Sequence, residues 1–149
     1  DSRVTKERRE IIQQGILLYG VKYGSDGANG HYKNTPSVDN PQYLDCSSFV
    51  AQAYWRAGIL TRNDAATWFT GTFCENFDHL SSADELIPGD TGQKSWSSGG
   101  GPTEHIGIYI GTVNGTRYWL HCTSGGGFSG ITINDYGRFT EFGRCKTLK

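Results

Sequence analysis

Four cysteines and four histidines are the residues of this 149-residue chain best suited to nucleophilic and acid–base chemistry. Cys46 has the most favourable place among them. A thiol attacks as its thiolate, and a free cysteine with a pKa near 8.5 is only a few per cent ionised at pH 7. Asp45 stands where a helix N-cap belongs, ahead of an apolar-periodic run, which puts Cys46 on the first helical turn. Unpaired N–H groups and the positive end of the macrodipole lower a thiol's pKa there. The backbone N–H of Ser47 is also available to a developing oxyanion. Free cysteine is equally common as a small core residue, so periodicity alone leaves a buried structural role for Cys46 open.

A thiolate needs an acid–base partner, and His105 is the best candidate. Residues 105–110 alternate, with Ile106, Ile108 and Ile110 on one face and His105, Gly107 and Tyr109 on the other. A surface histidine at a strand start is the competing reading. His121 lies in Tyr118-Trp119-Leu120-His121, on the strand that returns after the hairpin signal Asn114-Gly115. A second histidine orients a first by binding its other ring nitrogen. If the hairpin closes tightly on Asn114-Gly115, Tyr109 faces Leu120 and His105 faces Ser124. A bulge or longer loop shifts that register, so counting does not fix whether His121 reaches His105. The remaining candidates are weaker. His31 and His79 lie in polar stretches and read as surface residues, Asp90 as a turn residue after Pro88-Gly89, and Cys74 and Cys145 as inert. The run Ser98-Gly99-Gly100-Gly101 lacks the Lys-Ser/Thr ending of a phosphate loop. No Cys-x-x-Cys pair supports a zinc site, and no metal or cofactor is expected. The cysteine spacings resemble no dense disulfide framework; Cys122 with Cys145 is the pairing a disulfide would take.

The elements that must hold these residues come in two styles. Residues 5–20 read as a helix burying Ile11, Ile12, Gly15, Ile16, Leu18 and Tyr19, with Lys6, Arg8, Arg9 and Glu10 on the wet side. Residues 23–43 read as a long Gly/Asn/Ser/Pro loop, of the kind that is usually functional. A second helix runs from Asp45 to Gly58 and buries Phe49, Val50, Ala53, Tyr54 and Ala57. Residues 61–82 are short helical turns and loop, with Trp68, Phe69, Phe73 and Phe77 available as core. After Pro88-Gly89-Asp90 the chain reads as strands, including residues 117–123, 131–133 and 139–144. Helices first and an antiparallel meander second argue for a two-layer α+β fold.

At 16.4 kDa the chain is one domain's worth of sequence, residues 1–149. Apolar residues are 36% and charged residues 19%, which excludes disorder and coiled coil. Gly is the outlier, with 21 residues, about twice the usual share of about 7%. A net charge of −1 with scattered Lys and Arg offers no basic stripe for nucleic acid. No apolar run approaches the roughly 20 residues that span a membrane. Asp1 in first place and the lack of any Met are expected of a processed or excised chain.

The motifs together resemble the NlpC-type (NlpC/P60) cell-wall cysteine peptidases, within the papain-like superfamily. Gly20-Val21-Lys22-Tyr23-Gly24 resembles that family's Gly-x-Pro-Tyr segment, and Asp45-Cys46-Ser47-Ser48-Phe49-Val50 its Asp-Cys-Ser-Gly-Phe-Val motif. Leu86-Ile87-Pro88-Gly89-Asp90 resembles its Leu-x-Pro-Gly-Asp turn. His105-Ile106-Gly107-Ile108-Tyr109-Ile110-Gly111 resembles its His-Val-Gly-Ile-Tyr-x-Gly strand, and Leu120-His121 its third polar position. Each match is weak alone, and five in the right order are strong.

The resemblance implies a papain-like core in which N-terminal helices, one starting at the nucleophile, pack on an antiparallel sheet of five or six strands. It implies a Cys46–His105–His121 triad, an oxyanion role for Tyr23 with the Ser47 N–H, and an Asp45 carboxylate that holds a substrate amine. The implied reaction is cleavage of the D-γ-glutamyl–diamino acid bond of peptidoglycan stem peptides by a secreted or wall-associated monomer. A related Cys-His amidase or acyl-transfer enzyme is the alternative on the same core. A non-catalytic cell-wall-binding module is the alternative from another class. Three departures stand out. Ser48 replaces a Gly, the stretch from Tyr23 to Cys46 is longer than usual, and of the usual Pro-Arg-x-Ser-x-x-Gln segment only Arg62 has a counterpart.

Overall fold

The computed structural model describes residues 1–24, 38–97, 103–125 and 129–149. His31, most of the 23–43 loop and the Ser98–Gly101 run lie outside them. In chain order the elements are α1 (Lys6–Leu17), β1 (Lys22–Tyr23), β2 (Tyr43–Leu44), α2 (Cys46–Arg56), α3 (Arg62–Thr67), α4 (Thr70–Asn76) and β3 (Phe77–His79). There follow β4 (Thr91–Gln93), β5 (Ile106–Val113), β6 (Thr116–Thr123), β7 (Gly130–Asn134) and β8 (Glu141–Cys145). Among the described residues, β1 and β2 form a parallel pair, and the rest form a six-stranded sheet in the order β3-β8-β4-β5-β6-β7, antiparallel throughout. The α+β expectation holds.

The strand alternation builds two cores. Ile106, Ile108, Leu120 and Cys122 point to the face covered by α1 and α2, where Ile11, Phe49, Val50, Ala53 and Tyr54 meet them. Tyr109 and Trp119 point to the other face and pack with Leu86, Phe139 and Phe142. Trp68, Phe73 and Phe77 are buried in mutual edge contacts. Phe69, expected with them, is 43% exposed, because it lies at the start of α4, where its N–H donates to Thr72 Oγ1.

Helix α1 corrects the amphipathic reading. Ile11, Gly15 and Leu18 are buried, whereas Ile16 and Tyr19 are exposed, and Arg8, assigned to the wet side, is fully buried. Its Nη1 donates to Asp90 Oδ1 at 2.9 Å. Asp90 is therefore more than the turn residue its Pro-Gly context suggests. Its carboxylate also accepts from Arg144 Nε (3.0 Å) and Nη2 (2.8 Å) and from the N–H of Ile87 (2.8 Å). A buried carboxylate is tolerable when paired and hydrogen-bonded in this way. The hub ties α1, the Pro88-Gly89 turn and β8 together, and Tyr54 of α2 joins it by donating its hydroxyl hydrogen to Gly89 O.

The β5–β6 hairpin departs from simple counting at one residue. Val113↔Thr116, Thr112↔Arg117 and Gly111↔Tyr118 keep the tight register, but Tyr109 then pairs with Trp119 and Ile108 with Leu120. Ile110 is the extra residue of a β-bulge, followed by Gly111 at φ +143°, a backbone conformation open essentially to glycine. Without the bulge, His121 would face Ile108 on the aliphatic side. With it, His121 falls on the face of Gly107 and His105.

Candidate active site

Cys46 is the first residue of α2, and its placement rests on a complete capping box. Asp45 Oδ1 accepts from Ser48 N–H at 2.8 Å, and Ser48 Oγ accepts from Asp45 N–H at 2.9 Å. Ser48, where the resembling motif has Gly, is thus the second half of the cap. Ser47 Oγ–H also donates to Asp45 Oδ1 at 3.2 Å. The thiol is buried and faces the backbone N–H groups of Cys46, Ser47 and Ile106. Burial pushes it up to about 12, Asp45 adds to the rise, and those three N–H groups oppose it.

His105 immediately precedes β5, one residue before the Ile106 N–H that meets the thiol. Its ring stacks on Phe139 (centroids 5.4 Å, 16°), which fixes the plane. His105 Nε2 lies 2.8 Å from His121 Nδ1. Burial lowers the His105 pKa to about 4, with further lowering from His121 and Lys94. His121 is fully buried, and its Nε2 lies 2.8 Å from Asn134 Oδ1. Burial lowers its pKa as well, and the bond to Asn134 partly offsets this. At neutral pH both imidazoles are therefore uncharged, and the thiol keeps its proton.

Tyr23 sits in β1, paired in register with Leu44 two residues ahead of Cys46. Burial pushes its hydroxyl up to about 12, with Cys46 and Asp45 as the next causes, so it remains a proton donor beside the thiol. The structure thus brings Tyr23, Asp45, Cys46 and Ser47 to one end of α2, and links His105 to His121 beside it. It leaves the others out. His79 is exposed in β3, stacked on Trp96 (4.1 Å, 2°) with Nε2 3.2 Å from Glu141 Oε1. All four cysteines are free, so the pairing of Cys122 with Cys145 is not made. Cys122 instead donates to Leu44 O at 3.3 Å and Cys74 to Gln93 Oε1 at 3.0 Å. Arg62 is engaged by Asp39 through two hydrogen bonds of 2.9 and 2.6 Å. Among the described residues no group of three or more His, Cys, Asp or Glu is placed to hold a metal ion.

Two residues of the site escaped sequence reading. Asn134 ends β7, and Tyr136 packs its ring on both histidines (centroids 5.3 and 5.1 Å) and on Phe139 (4.6 Å). The signal in the sequence was Asn134-Asp135-Tyr136-Gly137, a polar turn after Ile131-Thr132-Ile133. Its relevance depends on the β6–β7 pairing of His121 with Thr132, which only the fold supplies.

No family model matches this chain, and no curated protein does. Solved structures do match. The P60 domain of antigen MAP1204 from M. avium subspecies paratuberculosis superposes with a TM-score of 0.65 over 97% of this chain and 96% of that one, at 21% identity. The fold is that of an NlpC/P60 domain. RipD from Mycobacterium tuberculosis, described as a non-catalytic NlpC/p60 domain protein adapted to peptidoglycan binding, matches at a TM-score of 0.63 and 17% identity, covering 94% of this chain and 98% of that one. These identities speak to the NlpC/P60 fold alone; what this chain does with it rests on its own side chains.

Proposed function

We propose that this chain is a peptidoglycan hydrolase, a cysteine endopeptidase cutting the D-γ-glutamyl–diamino acid bond of stem peptides through Cys46, His105 and His121. The observation that carries the reading is the hydrogen-bonded His105–His121–Asn134 chain beside a cysteine at a capped helix N-terminus. A wall-binding module has no use for two buried histidines linked end to end. The NlpC/P60 fold supports the peptidoglycan substrate.

In this mechanism His105 takes the thiol proton on Nδ1, since Nε2 is engaged by His121. The Cys46 sulfur attacks the γ-carbonyl carbon, and the C=O π electrons move to oxygen. That oxyanion is met by the Ser47 N–H and the Tyr23 hydroxyl. Collapse expels the diamino acid's amine, which takes the proton from His105. Water, deprotonated by the same imidazole, then hydrolyses the thioester and restores the thiol. Burial that holds thiol and imidazole uncharged makes proton transfer part of the attack, so the orientation of His105 controls the rate. Asp45, at the mouth of the same helix, is the residue to hold the free α-amine of the preceding L-amino acid. The enzyme acts as a secreted or wall-associated monomer, with residues 1–149 as one catalytic domain.

The reading is tested by digesting purified peptidoglycan and analysing muropeptide masses. Paired fragments with new diamino acid amines and free γ-carboxylates are expected. Intact muropeptides that nonetheless bind the protein would favour the second reading, a peptidoglycan-binding module, which the description of RipD keeps in view.

A further inference from the structure

We infer that Asn134 is a positioning residue that sets the tautomer of both histidines and thereby leaves His105 Nδ1 unprotonated for the thiol. The inference rests on the reading of Cys46 and His105 as the reacting pair and concerns what orients them. The direction of every proton follows from one backbone group. Tyr136 N–H, which can only donate, points to Asn134 Oδ1 at 3.1 Å. That contact identifies the atom as the amide oxygen and fixes the rotation of the side chain. The same oxygen lies 2.8 Å from His121 Nε2. An amide oxygen cannot donate, so His121 carries its proton on Nε2, and its Nδ1 is a bare acceptor. His121 Nδ1 in turn lies 2.8 Å from His105 Nε2, which must therefore be N–H. A neutral imidazole holds one such proton, so His105 Nδ1 is a lone pair. Three consecutive contacts thus transmit the polarity of one main-chain N–H to the base.

The register makes this possible. Asn134 pairs with Trp119 and Thr132 with His121, so Asn134 and His121 are diagonal neighbours on one face of β6 and β7. Reversing the relay would put the proton on His121 Nδ1, make His105 Nε2 the acceptor and move the His105 proton to Nδ1. The base would then have no lone pair for the thiol. Asn134 acts on neither substrate nor sulfur; its effect passes entirely through His121.

Nitrogen-15 long-range correlation spectra at pH 7.5 read the tautomers without turnover. The native enzyme is expected to show a protonated Nε2 and a bare Nδ1 on both His105 and His121. Asn134→Ala should add the Nδ1–H form at His121 and lower kcat in step with the fraction of Nε2–H form lost, by about twofold or more once half of the molecules have switched, with KM unchanged. Asn134→Asp keeps an acceptor oxygen for both Tyr136 N–H and His121, and should restore the Nε2–H spectrum together with most of kcat. A Nδ1–H tautomer on His121 in the native enzyme would overturn the inference. So would an Asn134→Ala enzyme whose two histidines keep the native tautomers. Failure of the catalytic reading is seen separately, as an enzyme with the expected spectrum that cleaves nothing.

Discussion

Replacing Gly107 by Ala should disturb the proposed base without altering any residue of the proposed triad. Gly107 lies in β5 between His105 and Tyr109 and pairs with Gly92 of β4. A Cβ on Gly107 would stand 3.0 Å from Phe139 Cε2 and Cζ and 3.1 Å from His121 Cβ. Carbon atoms pack comfortably at about 3.5–4.0 Å, so the neighbours must yield by a few tenths of an ångström. Neither yields freely. Phe139 is held between Trp119 (4.8 Å), Tyr136 (4.6 Å) and the stacked ring of His105 (5.4 Å). His121 Cβ is attached to a paired strand, and its ring is bonded at both nitrogens. Overpacking of this kind costs about 1–3 kcal/mol, or roughly 2–10 °C in Tm for a chain of this length. The displacement is passed to the two imidazoles. A 1 Å misplacement can cost about a hundredfold, so a shift of about 0.3 Å should lower kcat/KM by roughly fourfold, near 0.8 kcal/mol. Urea unfolding and kcat/KM on a free stem tripeptide, measured on the same preparation, make the assay. A Gly107→Ala enzyme with native Tm and native kcat/KM would refute the claim that Phe139 and His121 leave no room there.

Asp90→Ala should lower the unfolding free energy by about 3–5 kcal/mol, because it strands the buried Arg8 guanidinium; urea denaturation measures it. Tyr23→Phe should reduce kcat about a hundredfold with KM nearly unchanged, as expected for loss of one oxyanion donor, and steady-state kinetics decides. His105 titrates below its unfolded value of about 6.5, so the folded state binds fewer protons between pH 6.5 and about 4, and stability falls as pH drops through that window. Urea unfolding at pH 7 and pH 5 should differ by up to about 2 kcal/mol from this group, a difference that shrinks in His105→Gln.

Much of the fold could be read from local pattern, since period-2 alternation in 105–110 and 117–123 and an Asp45 cap are properties of neighbouring residues. The helix-start position of Cys46 and the strand-start position of His105 were legible for the same reason. His121 was named but its position was not derivable, because one bulge residue, Ile110, decides which face it takes. Arg8 and Asp90 were misread because a charge looks solvent-directed until its partner, here 82 residues away, is known. Asn134 and Tyr136 were missed because their roles arise from cross-strand pairing, which no window of sequence contains.

The central claim is covalent catalysis by Cys46 primed by His105. It is tested most directly by measuring the cleavage rate of a synthetic stem tripeptide, with mass identification of products, for native, Cys46→Ala and Cys46→Ser enzymes of equal Tm. The account predicts hydrolysis at the γ-glutamyl bond by the native enzyme and none above background by Cys46→Ala, with Cys46→Ser below about one per cent of native. A Cys46→Ala enzyme that still cleaves this bond, or a folded native enzyme that never does, would contradict it.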